Sequence, residues 1–224
     1  MHQNWWVSCL TESPTIVGEL EKSVRRVCGK LLRQGYEAVL DAAEFELDWD
    51  EDEFTRELVK HMNNINETEF LIPISIHWDE KGKSQKNLDV STHPSRAQRV
   101  DITLDYVRSD GTTEYWLEAK RVSNSDTALY RKYWKEGVRR FIDGEYADKF
   151  SFAGMIAYVL SGGIDKNVSE LEDRCSAYKS RMLLKQGWEY SHSEGEIEVY
   201  RTHHCRDELS DIVLDHHLLN FTES

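Results

Sequence analysis

Two stretches near the middle of the chain alternate between apolar and polar side chains. They are residues 100–104 and 115–120, and an Asp-Gly pair at 110–111 lies between them. Alternation with period two predicts half-buried strands, and an Asp-Gly pair between two such strands is typical of a tight hairpin. With that pair as the two loop residues, the register sets Asp101 opposite Lys120. The pattern therefore predicts a hairpin with one dry face and one charged face.

Apolar positions in the rest of the chain follow either a helical or a strand period. Residues 152–160 are nearly all apolar, which predicts a strand buried on both faces. Gly35 is predicted to end the first helix, and Asp50 with Glu53 is predicted to form a capping box at the start of a later helix. Residues 79–98 are polar and are predicted to form a long loop. The remaining predictions are helices over 15–34, 36–47, 50–65, 126–143 and 164–184, and strands over 69–77, 188–191, 196–201 and 211–221.

Length and composition favour one globular domain with a helical extension. The chain has 224 residues and four scattered cysteines. Scattered cysteines are typical of a reducing compartment, and no apolar run is long enough to cross a membrane. We therefore expect a cytoplasmic protein that makes no membrane contact. We divide the chain into an N-terminal helical extension, residues 1–48, and a main domain, residues 49–224.

The charge of the chain is unevenly distributed. The formal net charge is −13, and residues 41–53 alone hold eight acids and no base. Residues 120–140, in contrast, hold seven bases against two acids. Within them Arg131, Lys135 and Arg139 repeat every four residues on one helical face, so we expect them to contact nucleic acid phosphates. The alternative is an ordinary solvated helix face.

Asp101, Glu118 and Lys120 bring two carboxylates and one ammonium group to the charged face of the hairpin. Diagonal neighbours across a strand pair lie about 7–8 Å apart, so both carboxylates can approach one ion. Magnesium prefers oxygen ligands and needs only one or two carboxylates beside substrate phosphate oxygens. The alternative is a surface hairpin in which Lys120 and Asp101 form an exposed salt bridge, worth about 0.2–1 kcal/mol.

The arrangement of these residues resembles the PD-(D/E)xK, or restriction-endonuclease-like, nuclease superfamily. Asp101 is followed on the next strand by Glu118-Ala119-Lys120, with one predicted helix before and another behind. Val100 stands where the name of the family has proline, which is the least needed part of the motif chemically. The resemblance covers roughly residues 50–160 and implies an αβββαβ core, in which helices flank a central mixed sheet.

The resemblance also implies a metal-dependent nuclease and assigns roles to particular residues. Mg²⁺, with Mn²⁺ as a substitute, would polarise the scissile phosphate and activate a water molecule. Lys120 would either orient that water or balance the charge that develops on phosphorus, and we favour the second role. The implied catalytic residues are Asp101, Glu118 and Lys120, and the implied metal ligands are Asp101, Glu118, the backbone carbonyl of Ala119 and one helical acid, Glu51 or alternatively Glu53.

By analogy with this superfamily, we expect an endonuclease that acts on DNA, with a role in phage defence beside a separate ATPase or helicase subunit. A homodimer is also compatible with the resemblance. One alternative is a catalytically silent nuclease-fold subunit that binds a partner protein or nucleic acid. Another alternative is a regulatory protein whose tail binds zinc through residues of the set His192, His203, His204, Cys205, His216 and His217.

Overall fold

The structure is a computed structural model, and it describes residues 14–43, 45–69, 74–78, 100–108 and 111–222. These residues form a seven-stranded sheet flanked by helices, which is the α/β class that the sequence predicts. The helices are α1 (Pro14–Ala42), α2 (Glu51–Glu69), α3 (Thr127–Lys132), a π-helical segment π1 (Tyr133–Val138), α4 (Arg139–Ile142) and α5 (Gly163–Ala177). The strands are β1 (Ile74–Trp78), β2 (Ile102–Arg108), β3 (Gly111–Val122), β4 (Phe152–Val159), β5 (Leu184–Glu194), β6 (Ile197–His204) and β7 (Ile212–Asn220).

The sheet is mixed and runs in the order β1-β2-β3-β4-β7-β6-β5. Its central strand, β4, pairs in parallel with β3 and β7, while the other neighbours are antiparallel. Every residue of β4 is buried, as its apolar run predicts. The carboxyl ends of β3 and β4 therefore meet at the same edge of the sheet, where open α/β sheets commonly bind ligands.

Two apolar cores lie on opposite faces of this sheet. α1 and α2 cover one face, where Leu31, Met62 and Leu117 are buried together. The helical run α3-π1-α4 and α5 cover the other face, where Trp134 and Leu171 are buried. Each face thus buries the apolar stripe of a different set of helices, and β3 and β4 contribute side chains to both cores.

A buried ion pair joins α1 to the sheet. Arg25 donates Nε to Asp215 Oδ2 at 2.7 Å and Nη2 to Oδ1 at 2.5 Å, and Arg201 donates to the same carboxylate at 2.9 Å. Burial disfavours the charge of Asp215, but the cations outweigh it and lower the pKa of this carboxyl. α1 therefore shares the core of the sheet, while the division of the chain at residue 48 stays a prediction.

The register of the β2–β3 hairpin differs from the prediction by two residues. Ile102 pairs with Leu117, and the ladder continues to a pair between Arg108 and Gly111. Gly111 is therefore a strand residue, and the two residues at 109–110, which lie outside the described part of the chain, connect the strands. The prediction that sets Asp101 opposite Lys120 is wrong. A shift of two residues nevertheless keeps every side chain on its predicted face, because the side-chain period of a strand is two.

The predicted break of the first helix at Gly35 is also wrong, because α1 continues through it to Ala42. A Cβ atom at Gly35 would lie 2.5 Å from Met62 Cγ on α2. The glycine therefore permits the close approach of two helices instead of ending one of them. Such a contact depends on the tertiary structure and leaves no mark on the local pattern.

The other predicted elements differ mainly at their ends. The capping box at the start of α2 is confirmed, because Glu53 N donates to Asp50 Oδ1 at 3.0 Å and Asp50 N donates to Glu53 Oε2 at 2.8 Å. α5 ends at Ala177 instead of continuing to 184, and β5 begins at Leu184. None of the described helices is long and apolar enough to cross a membrane. The predicted loop at 79–98 lies outside the described residues.

Candidate active site

Asp101, Glu118 and Lys120 lie together and are buried. Glu118 and Lys120 are two residues apart on β3, so their side chains share one face of the sheet. Asp101 lies directly before β2 and reaches β3 through its side chain, since Asp101 Oδ2 accepts a hydrogen bond from Ala119 N at 2.8 Å. Their exposed fractions are only 5%, 1% and 5%. Charged residues are seldom buried to this degree unless they are paired, so this cluster is unusual for a simple surface hairpin.

The ammonium group of Lys120 lies among the oxygen atoms that are the predicted metal ligands. Its Nζ is 2.7 Å from Glu118 Oε1 and 2.8 Å from the carbonyl oxygen of Ala119. Glu51 Oε1 lies at 3.5 Å and Asp101 Oδ2 at 3.9 Å. An ammonium group has three N–H donors, and the three nearest oxygens account for all of them. The four oxygens thus surround one positive charge.

Of the two helical acids considered from the sequence, the structure brings only Glu51 to this cluster. Glu51 lies in the first turn of α2 and approaches Lys120, and its Oε2 accepts from the backbone N–H of Arg121 at 3.2 Å. Arg121 in turn donates to the carbonyl of Trp49 at 3.0 Å, which fixes the start of α2 against the end of β3. Glu53 instead closes the capping box of α2.

Burial and neighbouring charges perturb the pKa values of the cluster in a consistent way. Burial, together with the carboxylate of Asp101, raises the pKa of Glu118 to about 7, although Lys120 opposes the shift. Burial disfavours the charge of Lys120, but the carboxylates of Glu118, Asp101 and Glu51 outweigh it and raise its pKa. Lys120 is therefore an ammonium ion at neutral pH, whereas Glu118 exchanges a proton near neutrality.

Two residues that were not predicted complete the site. Arg140 Nη1 lies 3.6 Å from Glu118 Oε1 and donates to the hydroxyl of Tyr146. Burial, followed by the charge of Glu118, raises the pKa of Tyr146 to about 12. The side chain of Arg140 is 40% exposed, whereas that of Lys120 is 6% exposed. Arg140 is thus the cation of this cluster that can contact a bound anion from solvent.

One sequence signal could have singled out Arg140. Successive residues of a helix point about 100° apart, so Arg139 and Arg140 cannot share one face. Arg139 lies on the same helical face as Lys135, four residues earlier. Arg140 must therefore point toward a different part of the molecule. Tyr146 has no comparable signal, because it reaches the site only through the turn at Gly144, whose φ is +72°.

Gly137 brings the helical run close to the site. A Cβ atom at Gly137 would lie 2.5 Å from Met155 Cε and 3.5 Å from Lys120 Cγ. The absence of a side chain therefore lets π1 lie directly over the stem of Lys120. π-helical turns are rare and often occur at functional sites, and the local geometry of π1 sets the direction in which Arg140 points.

The residues present fit a hard divalent cation. Glu118 Oε2 is buried and has no hydrogen-bond partner among the described residues, so it can accept a further positive charge. The donor set of Asp101, Glu118 and the Ala119 carbonyl is made of oxygen atoms, as Mg²⁺ prefers. Within the described residues, however, no three or more His, Cys, Asp and Glu side chains form a group that could hold a metal ion. A divalent ion held here would therefore have two carboxylate ligands, with water and substrate as the others.

The predicted nucleic-acid contacts are exposed but do not form one row. Arg131, Lys135 and Arg139 are all exposed. Lys135 and Arg139 line one concavity, together with residues from the segment between α5 and β5, and Arg131 is not part of it. The π-helical turn changes the angular spacing between α3 and α4, so the spacing of four residues does not keep the three side chains on one line.

Two histidines of the tail, His204 and His216, belong to a buried hydrogen-bond chain. His204 Nδ1 lies 2.7 Å from the carbonyl of Met182, which can only accept. Burial lowers the pKa values of His204 and His216, which favours their neutral forms. With both imidazoles neutral, the donor and acceptor of each hydrogen bond in the series are determined. Tyr133 then donates to His216, His216 to Thr202, and Thr202 to His204. The arrangement satisfies these imidazoles without a metal ion.

His217 points away from that chain. It lies on the next position of β7, so its side chain is on the other face of the sheet, where its Nε2 is 3.4 Å from the hydroxyl of Tyr115. The paired histidines therefore do not converge, as expected for neighbouring residues of a strand. Over the part of the chain that the structure describes, the tail contains no group of metal ligands.

Comparison of the chain with protein-family models, with curated proteins and with solved structures found no match.

Proposed function

We propose that this chain is a metal-dependent nuclease that hydrolyses the phosphodiester bonds of nucleic acid, as an endonuclease on DNA. The observation that carries the proposal is the buried cluster of Asp101, Glu118 and Lys120 around the carbonyl of Ala119. Burying two carboxylates and an ammonium group is expensive, and hydrophobic residues of similar volume are often as stable or more so. A chemical role accounts for this unfavourable desolvation free energy, whereas a structural role does not require charged residues at these positions.

The order of elements supports the proposal. From α2 onward the chain runs helix, three strands, helical run, strand, which is the αβββαβ order that the resemblance implies. Glu118 and Lys120 lie on β3, the third strand in this order, and Glu51 lies on α2, the helix that precedes the three strands. We include in the proposal that this region is a restriction-endonuclease-like core, with the helix α1 added to one face.

In this proposal Asp101, Glu118 and the Ala119 carbonyl hold Mg²⁺ or Mn²⁺, with Glu51 as an outer carboxylate. A bound divalent ion supplies Lewis-acid catalysis and lowers the pKa of a water molecule. Asp101 also accepts a hydrogen bond from Ala119 N, which holds the carboxylate in one orientation. Lys120 leaves the oxygens that it contacts here and balances the negative charge that develops on the phosphoryl group.

The reaction is a hydrolysis. The oxygen of water forms a bond to phosphorus as the bond to the leaving oxygen breaks, and the proton of the nucleophile passes to solvent. The leaving oxygen takes a proton from water. Arg140 lies on the exposed side of the site. Its planar guanidinium group can donate two hydrogen bonds to phosphate oxygens, so it would contact the substrate phosphate from that side.

One observation favours a second candidate function. Lys120 contacts Glu118 and the Ala119 carbonyl so closely that its ammonium group already occupies the place that a divalent ion would take. A chain that keeps this arrangement would be a catalytically silent nuclease-fold subunit that binds a partner protein or nucleic acid. The two candidates differ in whether a divalent ion displaces Lys120.

Partners follow from the same proposal. A formal net charge of −13 weakens the general attraction to nucleic acid, so delivery of DNA by a separate ATPase or helicase subunit would be an advantage. A role in phage defence would fit such an assembly. Binding of such a subunit is the property that the silent candidate would share.

The test is cleavage of plasmid DNA, single-stranded DNA and RNA with Mg²⁺, by the chain alone and beside candidate partner subunits. We expect cleavage by the wild type and its loss in Glu118→Gln and in Lys120→Met. The matched control is Glu114→Gln. Glu114 lies on the same strand as Glu118, but it accepts a hydrogen bond from Trp116 and does not contact Lys120. Absence of cleavage under every condition, with unchanged binding of a partner, would support the silent subunit.

A further inference from the structure

A concavity on the helical face of the molecule gathers three cations from two segments of the chain. Lys135 of π1 and Arg139 of α4 line one side, and Arg181, from the segment between α5 and β5, lines the other. Tyr178 and the buried Met182 also line it, and the volume of the concavity is about 390 Å³. This size lies within the range of small-ligand pockets.

The contacts within the concavity fix its shape. Arg139 Nη1 donates to the carbonyl oxygen of Arg181 at 3.4 Å, so the two segments are joined across the concavity. Lys135 Nζ lies 6.0 Å from the centroid of the Tyr178 ring, at the limit of a cation–π contact. The aromatic ring and the ammonium group therefore face the same space.

The charge of the concavity remains positive after its neighbours are counted. Arg139 uses Nε for both carboxylate oxygens of Asp143, at 2.8 Å and 2.7 Å. Its Nη2 has no partner among the described residues, and no salt bridge of Lys135 or Arg181 occurs among them either. The carboxylate of Glu145 is also close enough to raise the pKa of Arg139, so three cations against two carboxylates leave about one positive charge, in a chain whose formal net charge is −13.

A phosphodiester beside a base matches these groups. Guanidinium and ammonium groups bind phosphate oxygens, and the half-buried ring of Tyr178 can stack on any base through its accessible part. A nucleic-acid strand offers both within one nucleotide, whereas a free anion would leave Tyr178 unused. The side chains of Lys135, Arg139 and Arg181 are exposed, so a strand can reach them from solvent.

The concavity and the active site lie on different sides of one helical run. Gly137 lies over Lys120, and Arg140 reaches Glu118, while Lys135 and Arg139 point to the concavity. A helix with its side chains is about 10–12 Å wide, so the two sites lie about one helix diameter apart on different sides of the helical run.

We infer that the concavity of Lys135, Arg139, Tyr178, Arg181 and Met182 is a second binding site for nucleic acid, which holds a backbone phosphate and its base away from the bond that is cut. The inference deepens the proposed function, on which it rests for the path of the strand. It adds Arg181 and Tyr178 to the contacts, and it leaves Arg131 outside them.

The test is the binding of a fluorescently labelled single-stranded DNA, measured by anisotropy with a chelator present so that nothing is cleaved. We expect the double variant Lys135→Met with Arg181→Met to lose at least about tenfold in affinity at low salt. The slope of log affinity against log salt should fall in magnitude by about 1.4, about 0.7 for each lost phosphate contact on a single strand. Tyr178→Ala should lose about tenfold, and Tyr178→Phe should bind as the wild type, because the ring is retained.

The matched control is Arg26→Met with Arg33→Met, which removes the same charge from α1 on the other face of the sheet. Since these residues are exposed or half-buried, thermal melts should show that both double variants fold as the wild type does. Equal binding by the two double variants would overturn the inference, and so would a wild type that does not bind the DNA.

The inference and the proposed function can fail separately. Glu118→Gln should bind the DNA at least as well as the wild type, while any cleavage is lost. If the wild type binds through the concavity but never cuts with Mg²⁺, the nuclease proposal fails and the binding site stands. If the wild type cuts and the Lys135 and Arg181 double variant binds as the control does, the binding site fails and the nuclease stands.

Discussion

Glu118 is the residue of the site whose carboxylate has a buried oxygen available for a further contact. It contacts Lys120 and Arg140 through one carboxylate oxygen, while the other oxygen is buried and has no hydrogen-bond partner among the described residues. An orphaned buried oxygen is destabilising, so natural proteins keep few of them without a functional reason. This carboxylate therefore has room for one more positive charge, which is what a metal site needs.

The raised pKa of Glu118 predicts how magnesium binding depends on pH. Burial first, and Asp101 second, raise the pKa to about 7, and only the deprotonated carboxylate binds a cation. We expect Mg²⁺ affinity and cleavage to increase as the pH rises through about 7, with the affinity measured by calorimetry on both sides of that value. Glu118→Gln should remove this dependence, and a wild-type affinity that is flat across neutrality would contradict it.

The same shift affects stability with a definite sign. Because the folded protein holds the Glu118 proton more tightly than the unfolded chain does, the contribution of this group is present below its ordinary pKa of 4.5 and is lost as the pH rises to about 7. If the folded state binds magnesium as proposed and the unfolded chain does not, added magnesium should offset the loss.

Arg140 is expected to influence both the substrate and Glu118. Its charge lowers the pKa of Glu118, so Arg140→Met should raise that pKa and move the pH midpoint of cleavage upward. We expect kcat/KM to fall about tenfold or more, which corresponds to about 1.4 kcal/mol. Arg140→Lys should restore the midpoint but not the rate, because it keeps the charge and loses the planar fork. An unchanged rate in Arg140→Met would exclude a substrate contact.

At the scale of elements, two glycines of α1 should respond in opposite ways to alanine. A Cβ at Gly35 would clash with Met62 at 2.5 Å, whereas a Cβ at Gly29 would meet only the Glu194 side chain at 3.7 Å. We expect Gly35→Ala to lose about 1–3 kcal/mol of unfolding free energy. Gly29→Ala should gain up to about 1 kcal/mol, because alanine is the better helix former. Urea denaturation measures both, and a stabilised Gly35→Ala would contradict the described contact between α1 and α2.

The ion pair between α1 and β7 gives a second prediction at this scale. Arg25→Met leaves the buried carboxylate of Asp215 with Arg201 alone and should lose about 3 kcal/mol of unfolding free energy. Arg33→Met removes a partly exposed pair with Glu37 within α1 and should lose only about 0.3–0.5 kcal/mol. Thermal or urea melts at neutral pH provide the comparison, and equal losses would contradict a buried role for Arg25.

The pH dependence of this pair follows from the lowered pKa of Asp215. The stability that the pair contributes is present above the ordinary aspartate pKa of 3.8 and is lost as the pH falls below it. The difference in stability between the wild type and Arg25→Met should therefore narrow in acid. A difference that stays constant through this range would show that Arg25 contributes through packing and not through its charge.

Much of the fold was predictable because it is encoded in local periodicity. The capping box of α2, the buried strand β4 and the helical run after β3 all follow from patterns within a dozen or so residues. The continuity of α1 through Gly35 was not predictable, because it depends on Met62 of another helix. The hairpin register was missed by two residues because the Asp-Gly pair does not by itself determine which two residues turn.

The candidate site was predictable only in part, for a related reason. Asp101, Glu118 and Lys120 lie on consecutive elements, so a face assignment was enough to bring them together. Arg140 approaches from a helical run with a π turn, and Tyr146 approaches after the turn that follows it. Helical spacing separates Arg140 from the face of Arg139, but the contact of Arg140 or Tyr146 with the site depends on the packing of that run against β3, which local spacing does not specify.

At the scale of the whole molecule, the site lies where the two helical layers approach the same edge of the sheet. α2 brings Glu51 from one face, and the helical run brings Arg140 from the other. Both converge on the carboxyl half of β3, beside the parallel strand β4. A substrate that binds here would contact both layers, including the cations that the helical run carries in an otherwise acidic chain.

The most direct test of the account is the position of a bound metal ion. Crystals grown with Mn²⁺ should give an anomalous scattering peak within bonding distance of Asp101, Glu118 and the Ala119 carbonyl. Lys120 Nζ should then have moved away from the 2.7–2.8 Å contacts that it makes here with Glu118 and Ala119. A map without that peak, in which Lys120 still occupies the centre of the four oxygens, would contradict the account.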